Sequence, residues 1–116
     1  TIDAIKERTE AILHQHGLHF DLRWQIGGEP FITKKGKLVT ATQRAIKEIT
    51  GLDSVSSTGG GTSDGRYIAP TGAEVVELGV LNATAHQIDE RVRVEDLDTL
   101  ARIYEKLLKI LLDVAT

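Results

Sequence analysis

The chain has 116 residues, 41% of them hydrophobic and 27% charged, with a formal net charge of -3. That length sets a prior of one domain or one and a fragment, and the charge argues against a nucleic-acid binder or a basic membrane-surface protein. It contains no cysteine, which excludes disulfides and thiolate metal sites and fits a cytoplasmic protein. No apolar run approaches a membrane span, and the N-terminus lacks the basic, apolar, small-residue order of a secretory signal. The chain opens on Thr1 inside what reads as a helix, without an initiator methionine, which reads as a fragment.

Thr1 to His16 carries Ile2, Ile5, Ala11, Ile12 and Leu13 near one helical face, and Gly17 stands where a helix stops. From His19 to Ile26, Phe20, Leu22, Trp24 and Ile26 alternate with polar residues, the pattern of a half-buried strand. Gly27-Gly28-Glu29-Pro30 breaks it and marks a candidate boundary. A second helix is expected over Lys37–Thr50, with Leu38, Ala41, Ala45, Ile46 and Ile49 as its stripe and Gly51 as its stop. Val55 to Thr58 reads as a short strand and Ala73 to Leu81 as a compact apolar one. The last helix begins near Val92 and shows a wide stripe: Leu97, Leu100, Ala101, Tyr104, Leu107, Leu108, Leu111 and Leu112. Alternating helices and strands predict an α/β layer fold.

Two stretches carry chemistry. In Thr58-Gly59-Gly60-Gly61-Thr62-Ser63-Asp64-Gly65-Arg66, glycines let backbone N–H groups approach a ligand closely. The Thr62 and Ser63 hydroxyls and the Arg66 fork are suited to a carboxylate. Asp64 is a candidate N-cap for a short helix through Ala69. The plainer reading of the stretch is a reversing turn. The Walker pattern fails because Gly65 is followed by Arg66 and Tyr67, and the dinucleotide pattern fails because its last glycine would fall on Asp64. Gly61-Thr62-Ser63-Asp64-Gly65 matches a nucleophile elbow, with Ser63 as nucleophile, His86 as base and Glu74 or Glu77 as acid, but the chain is short for that sheet.

The second stretch runs from Gly79 through Asn82, Thr84 and His86 to Glu90. An imidazole beyond the carboxyl end of a strand suits a metal ligand or an acid–base group, with Asp89 or Glu90 as a supporting partner. A lone histidine in a loop is more often exposed than ligating, and one donor does not make a zinc site. His14, His16 and His19 read as a solvated helix end.

Ser57–Ala69, Glu74–Gly79 and the Asn82-Ala83-Thr84 and His86 positions together resemble the succinyl-diaminopimelate desuccinylases, within the aminoacylase and glutamate-carboxypeptidase type of zinc hydrolase. Gly28-Glu29-Pro30-Phe31 and the leucine-rich last helix fit the same order. The resemblance implies a catalytic α/β domain interrupted by a lid domain that dimerises. Residues 1–27 would then be the last helix and strand of the lid, and 28–116 the final segment of the catalytic domain. It implies His86 as ligand to one of two zinc ions, with cobalt a possible substitute, and Gly60, Gly61, Thr62, Arg66 and Asn82 against an anionic substrate. No catalytic general base is expected in this chain; it would lie in a missing N-terminal part, so this piece alone should be inactive. Departures from the family pattern at Gly79-Val80, at Ala85 and at Gln87-Ile88-Asp89-Glu90 leave acyl preference open, with acetylornithine deacetylase the nearest alternative. An anion-binding module without catalysis is the reading from a different class.

Overall fold

The computed structural model describes residues 1–61, 63–81 and 83–113. It contains α1 (Ile2–Gln15), α2 (Lys37–Thr50), the single turn α3 (Gly65–Ile68) continued by a 3₁₀ turn (Ala69–Thr71), and α4 (Val94–Leu111). The chain forms two compact units, Thr1–Ile32 and Thr33–Thr116.

In the first unit, α1 starts where the Thr1 hydroxyl accepts from the Ala4 N–H at 3.3 Å, with Asp3 in the first turn to complement the helix dipole. It ends at Gly17, whose φ of 62° lets the chain turn away. His14 is not simply solvated: its ring meets Phe20 edge-on at 5.0 Å. The segment after Gly17 returns so that Trp24 to Gly28 share a shallow depression with Ile2, Ile5 and Lys6. No residue of α1 is buried, and Ile5 is 61% exposed.

The second unit is organised by α2 against α4. Ala41 and Ala45 on α2 face Ile103 and Leu107 on α4, with Leu38, Ile46, Ile49, Leu78, Ile110 and Leu111 packed around them. Each pair is four residues apart, so both helices present an i, i+4 row. The alanines let the backbones approach, and Ala45 is 0% exposed. Removing Ile103 and Leu107 from water stabilises the pair by about 1.5–3 kcal/mol each. The α4 stripe is corrected here: Ile103 is a core residue, whereas Leu97 and Leu108 are 48% and 56% exposed. The stripe is wider than one partner helix covers, and α2 takes only the side carrying Ile103 and Leu107.

An ion-pair cluster edges this seam. Glu48 accepts from Arg44 Nε and pairs with Lys106 Nζ of α4, each at 2.7 Å. The Lys106 contact first, then Arg44, holds the Glu48 carboxyl below its ordinary pKa of 4.5.

The start of α2 depends on a distant residue. Its N-cap is Gly36, which has no side chain to cap with, and its first turn contains no acid. The first helical residue is Lys37, the unfavourable charge at a positive helix end. Glu74 corrects both: its Oε2 accepts from the Leu38 N–H at 2.6 Å. A Cβ at position 36 would run into that carboxylate.

The expected strands are not formed among the described residues: 19–26, 55–58 and 73–81 lie in no ladder. A strand needs a paired neighbour, because its N–H and C=O groups point sideways out of the segment. Alternation such as that of Phe20, Leu22 and Trp24 selects faces but supplies no partner. Side chains hold the 73–81 segment instead. Thr33 Oγ1 donates to the Val75 carbonyl at 2.5 Å and Tyr104 Oη to the Leu78 carbonyl at 2.6 Å.

Because the Glu48 pKa is depressed by folding, the stabilisation is fully present above 4.5 and is lost as pH falls through the lower folded value. Urea unfolding from about pH 7 down to about pH 3 is expected to show a smaller acid loss of stability in Glu48→Gln than in the parent. Parallel pH curves for the two proteins would show that the cluster contributes nothing.

Candidate functional site

The glycine loop enters α3 through Ser63, not Asp64. Asp64 occupies the N-cap position but makes no side-chain capping bond. Ser63 Oγ accepts from the Gly65 N–H at 3.0 Å instead, a local serine turn that competes with capping by the next residue. Gly60 has φ 136°, a conformation that a side chain opposes. Gly60 and Gly61 are both exposed. Thr62 lies outside the described residues.

Arg66 leaves α3 half-buried. Its Nη2 donates to Tyr67 Oη at 3.0 Å, and its Cζ lies 4.8 Å from the Tyr67 ring centroid. The adjacent tyrosine therefore holds the guanidinium. Arg66 Nε is buried and has no hydrogen-bond partner among the described residues. A buried donor without a partner carries a desolvation cost of about 1–3 kcal/mol, which an anion placed against it would relieve. Sequence reasoning missed the role of Tyr67, although its place directly after Arg66 was a signal.

Beside α3, Asp64, Gly65, Tyr67, Ile68, Val75, Val76 and Glu77 line an open depression. Its two charged side chains are acidic and the rest of its wall is mostly apolar, so it does not suit a carboxylate.

His86 is exposed, with φ 62°. Histidine is among the few side chains that enter this left-handed region with any frequency. Asp89 adopts the same φ of 62°. The Thr84 hydroxyl spans the turn, donating to the Arg91 carbonyl at 2.8 Å and accepting from the Arg91 N–H at 3.1 Å. The Gln87 N–H donates to the Thr84 carbonyl at 3.1 Å. The expected support of His86 by Asp89 or Glu90 is not made among the described residues; the Asp89 carbonyl accepts from Arg91 Nη1 at 3.3 Å. Asn82 lies outside the described residues.

Nothing among the described residues joins Ser63, His86 and an acid into a triad. Ser63 Oγ takes the Gly65 N–H, and Glu74 is committed to α2. Nor do three or more metal-ligating side chains gather among them. An exposed imidazole with no hydrogen bond to its ring nitrogens among the described residues fits a metal as one donor, not as a site. Zinc takes three or four protein ligands, and the described residues bring together fewer than three.

Residues 4–110 match the family described as peptidase family M20/M25/M40. A succinyl-diaminopimelate desuccinylase of Hahella chejuensis is 58% identical over 114 residues, which is 98% of this chain and 30% of that protein. Desuccinylases of Methylococcus capsulatus and Acinetobacter baumannii are 57% and 55% identical, over 98% and 97% of the chain and 30% of each protein. The chain thus spans about 30% of the length of these curated relatives.

The two exposed glycines separate by backbone conformation. Neither Gly60 nor Gly61 would bring a Cβ within 4 Å of another group, but only Gly60 has a positive φ. Gly60→Ala is expected to lower unfolding stability by about 1–3 kcal/mol, and Gly61→Ala by far less. Equal denaturation midpoints for the two variants would show that the strained φ is absent.

Proposed function

The chain belongs to peptidase family M20/M25/M40, and from that membership we propose that it is a C-terminal portion of a succinyl-diaminopimelate desuccinylase. The observation that carries this reading is the 58% identity to a named desuccinylase over 98% of the chain. The family implies an α/β fold and a metal-dependent hydrolase. The finer reading takes residues 1–27 as the end of a dimerising lid and 28–116 as the last segment of the catalytic domain. The complete enzyme would be a cytoplasmic homodimer that hydrolyses N-succinyl-diaminopimelate to succinate and diaminopimelate. No helix among the described residues is long and apolar enough to cross a membrane.

In this reading His86 donates one imidazole nitrogen to a zinc ion. Two such ions, or cobalt in their place, would polarise the scissile amide carbonyl and lower the pKa of the attacking water. Gly60, Gly61, Thr62, Arg66 and Asn82 bind substrate. Backbone N–H groups of the glycines and the guanidinium of Arg66 supply donors to a carboxylate. Arg66 Nε, buried without a partner among the described residues, supports this role, and Tyr67 holds the guanidinium ready for it. The chain contributes one metal donor and no general base, so it has no activity alone.

The complete protein is expected to release succinate from N-succinyl-diaminopimelate faster than acetate from acetylornithine; the reverse order would identify a deacetylase. Arg66→Ala is expected to raise KM for the succinyl substrate roughly tenfold or more, since a charge-assisted contact contributes about 1.5–3 kcal/mol and about 1.4 kcal/mol is tenfold. Ser63→Ala should change turnover little. Loss of turnover in Ser63→Ala with normal kinetics in Arg66→Ala would instead support the nucleophile elbow.

A further inference from the structure

We propose that Thr84 is the positioning residue of the His86 loop, its hydroxyl setting the direction in which the imidazole is presented to metal. The proposal rests on the reading of His86 as a ligand and goes beyond it, to a residue that touches neither metal nor substrate.

The turn containing His86 is conformationally unfavourable. Two of its residues, His86 and Asp89, hold left-handed backbone at φ 62° without being glycine. Such a turn persists only when its surroundings fix it. Among the described residues the two limbs of the loop are joined through one side chain, Thr84, which bonds both the carbonyl and the N–H of Arg91 seven residues on. One hydroxyl uses its donor and an acceptor lone pair together, so losing it releases both bonds. The Gln87 bonds, to the carbonyls of Thr84 and Ala83, lie within the first limb and do not bridge to the second.

The clamp is also tied to a rigid element at both ends. Upstream, the Leu78 carbonyl is held by Tyr104 of α4. Downstream, Arg93 occupies the N-cap position of α4 and forms a two-point pair with Asp96, at 2.6 and 3.2 Å. The loop therefore leaves one helix face and returns to the same helix, and Thr84 closes the span between them. An imidazole at its tip inherits a fixed direction only while that closure holds.

The test uses the complete protein with Thr84→Val, Thr84→Ser and His86→Ala. Zinc affinity is measured by chelator competition, and thermal melting is measured on the metal-free protein. Thr84→Val is expected to bind one zinc about 10–100-fold more weakly, the range for a lost supporting contact to a ligand. Its metal-free melting should stay near that of the parent. Thr84→Ser keeps the hydroxyl and should bind as the parent does. Thr84→Ala removes the same two bonds with a smaller group and stands in if the valine variant does not fold. Parental zinc affinity in Thr84→Val, alongside loss of one zinc in His86→Ala, would overturn the proposal while leaving the ligand reading intact. So would a serine variant as weak as the valine one. If His86→Ala keeps both zinc ions, the ligand reading itself falls, and the proposal with it.

Discussion

Ala41 and Ala45 allow α4 to lie directly on α2, and the second unit depends on that approach. With alanine on one side, Ile103 and Leu107 fill the space between the two helices. A larger side chain at Ala45 would hold the helices apart, because the interior tolerates added volume poorly. Leu78 joins the same cluster, which brings the 73–81 segment onto the helix pair. The Tyr104 bond to the Leu78 carbonyl and the Glu74 bond to α2 then fix that segment at two points. The His86 loop is thus suspended from a helix-built frame.

Polar contacts in this unit serve placement more than stability. Exposed ion pairs such as Lys47–Asp53 contribute little in water. Glu74 differs in that it completes a helix end that has no cap and carries a cation in its first turn. Ser63 and Thr84 act in the same way at smaller scale, each spending a hydroxyl on a backbone that would otherwise be free to open. Arg66 is the exception: its Nε is buried without a partner among the described residues. A buried donor left in that state carries a desolvation cost.

The helices were legible because their signals are local. Gly17 and Gly51 mark helix stops by their left-handed φ, 62° and 75°, and the α2 stripe follows the 3.6-residue period. The strands are not formed among the described residues, because alternation in 19–26 or apolarity in 73–81 implies a neighbour without providing one. The apolar stripe of α4 is likewise wider than the face α2 covers: Leu97, Leu108 and Leu112 stay exposed. At the candidate site, Arg66 and His86 are candidates by residue type and motif alone. Tyr67 beneath Arg66 and the Thr84–Arg91 closure were not, since each depends on how a turn folds. In sequence Glu74 reads as a candidate acid for a triad, whereas its bond to the Leu38 N–H at the start of α2 makes it a cap.

In the proposed function, this frame presents His86 as one ligand of a metal whose other ligands lie elsewhere in the complete protein. Anomalous diffraction at the zinc edge from crystals of the complete protein tests it directly. A zinc peak at about 2.0–2.1 Å from an imidazole nitrogen of His86 is the expected result. Fully occupied zinc sites with the His86 ring turned away from every peak would contradict it.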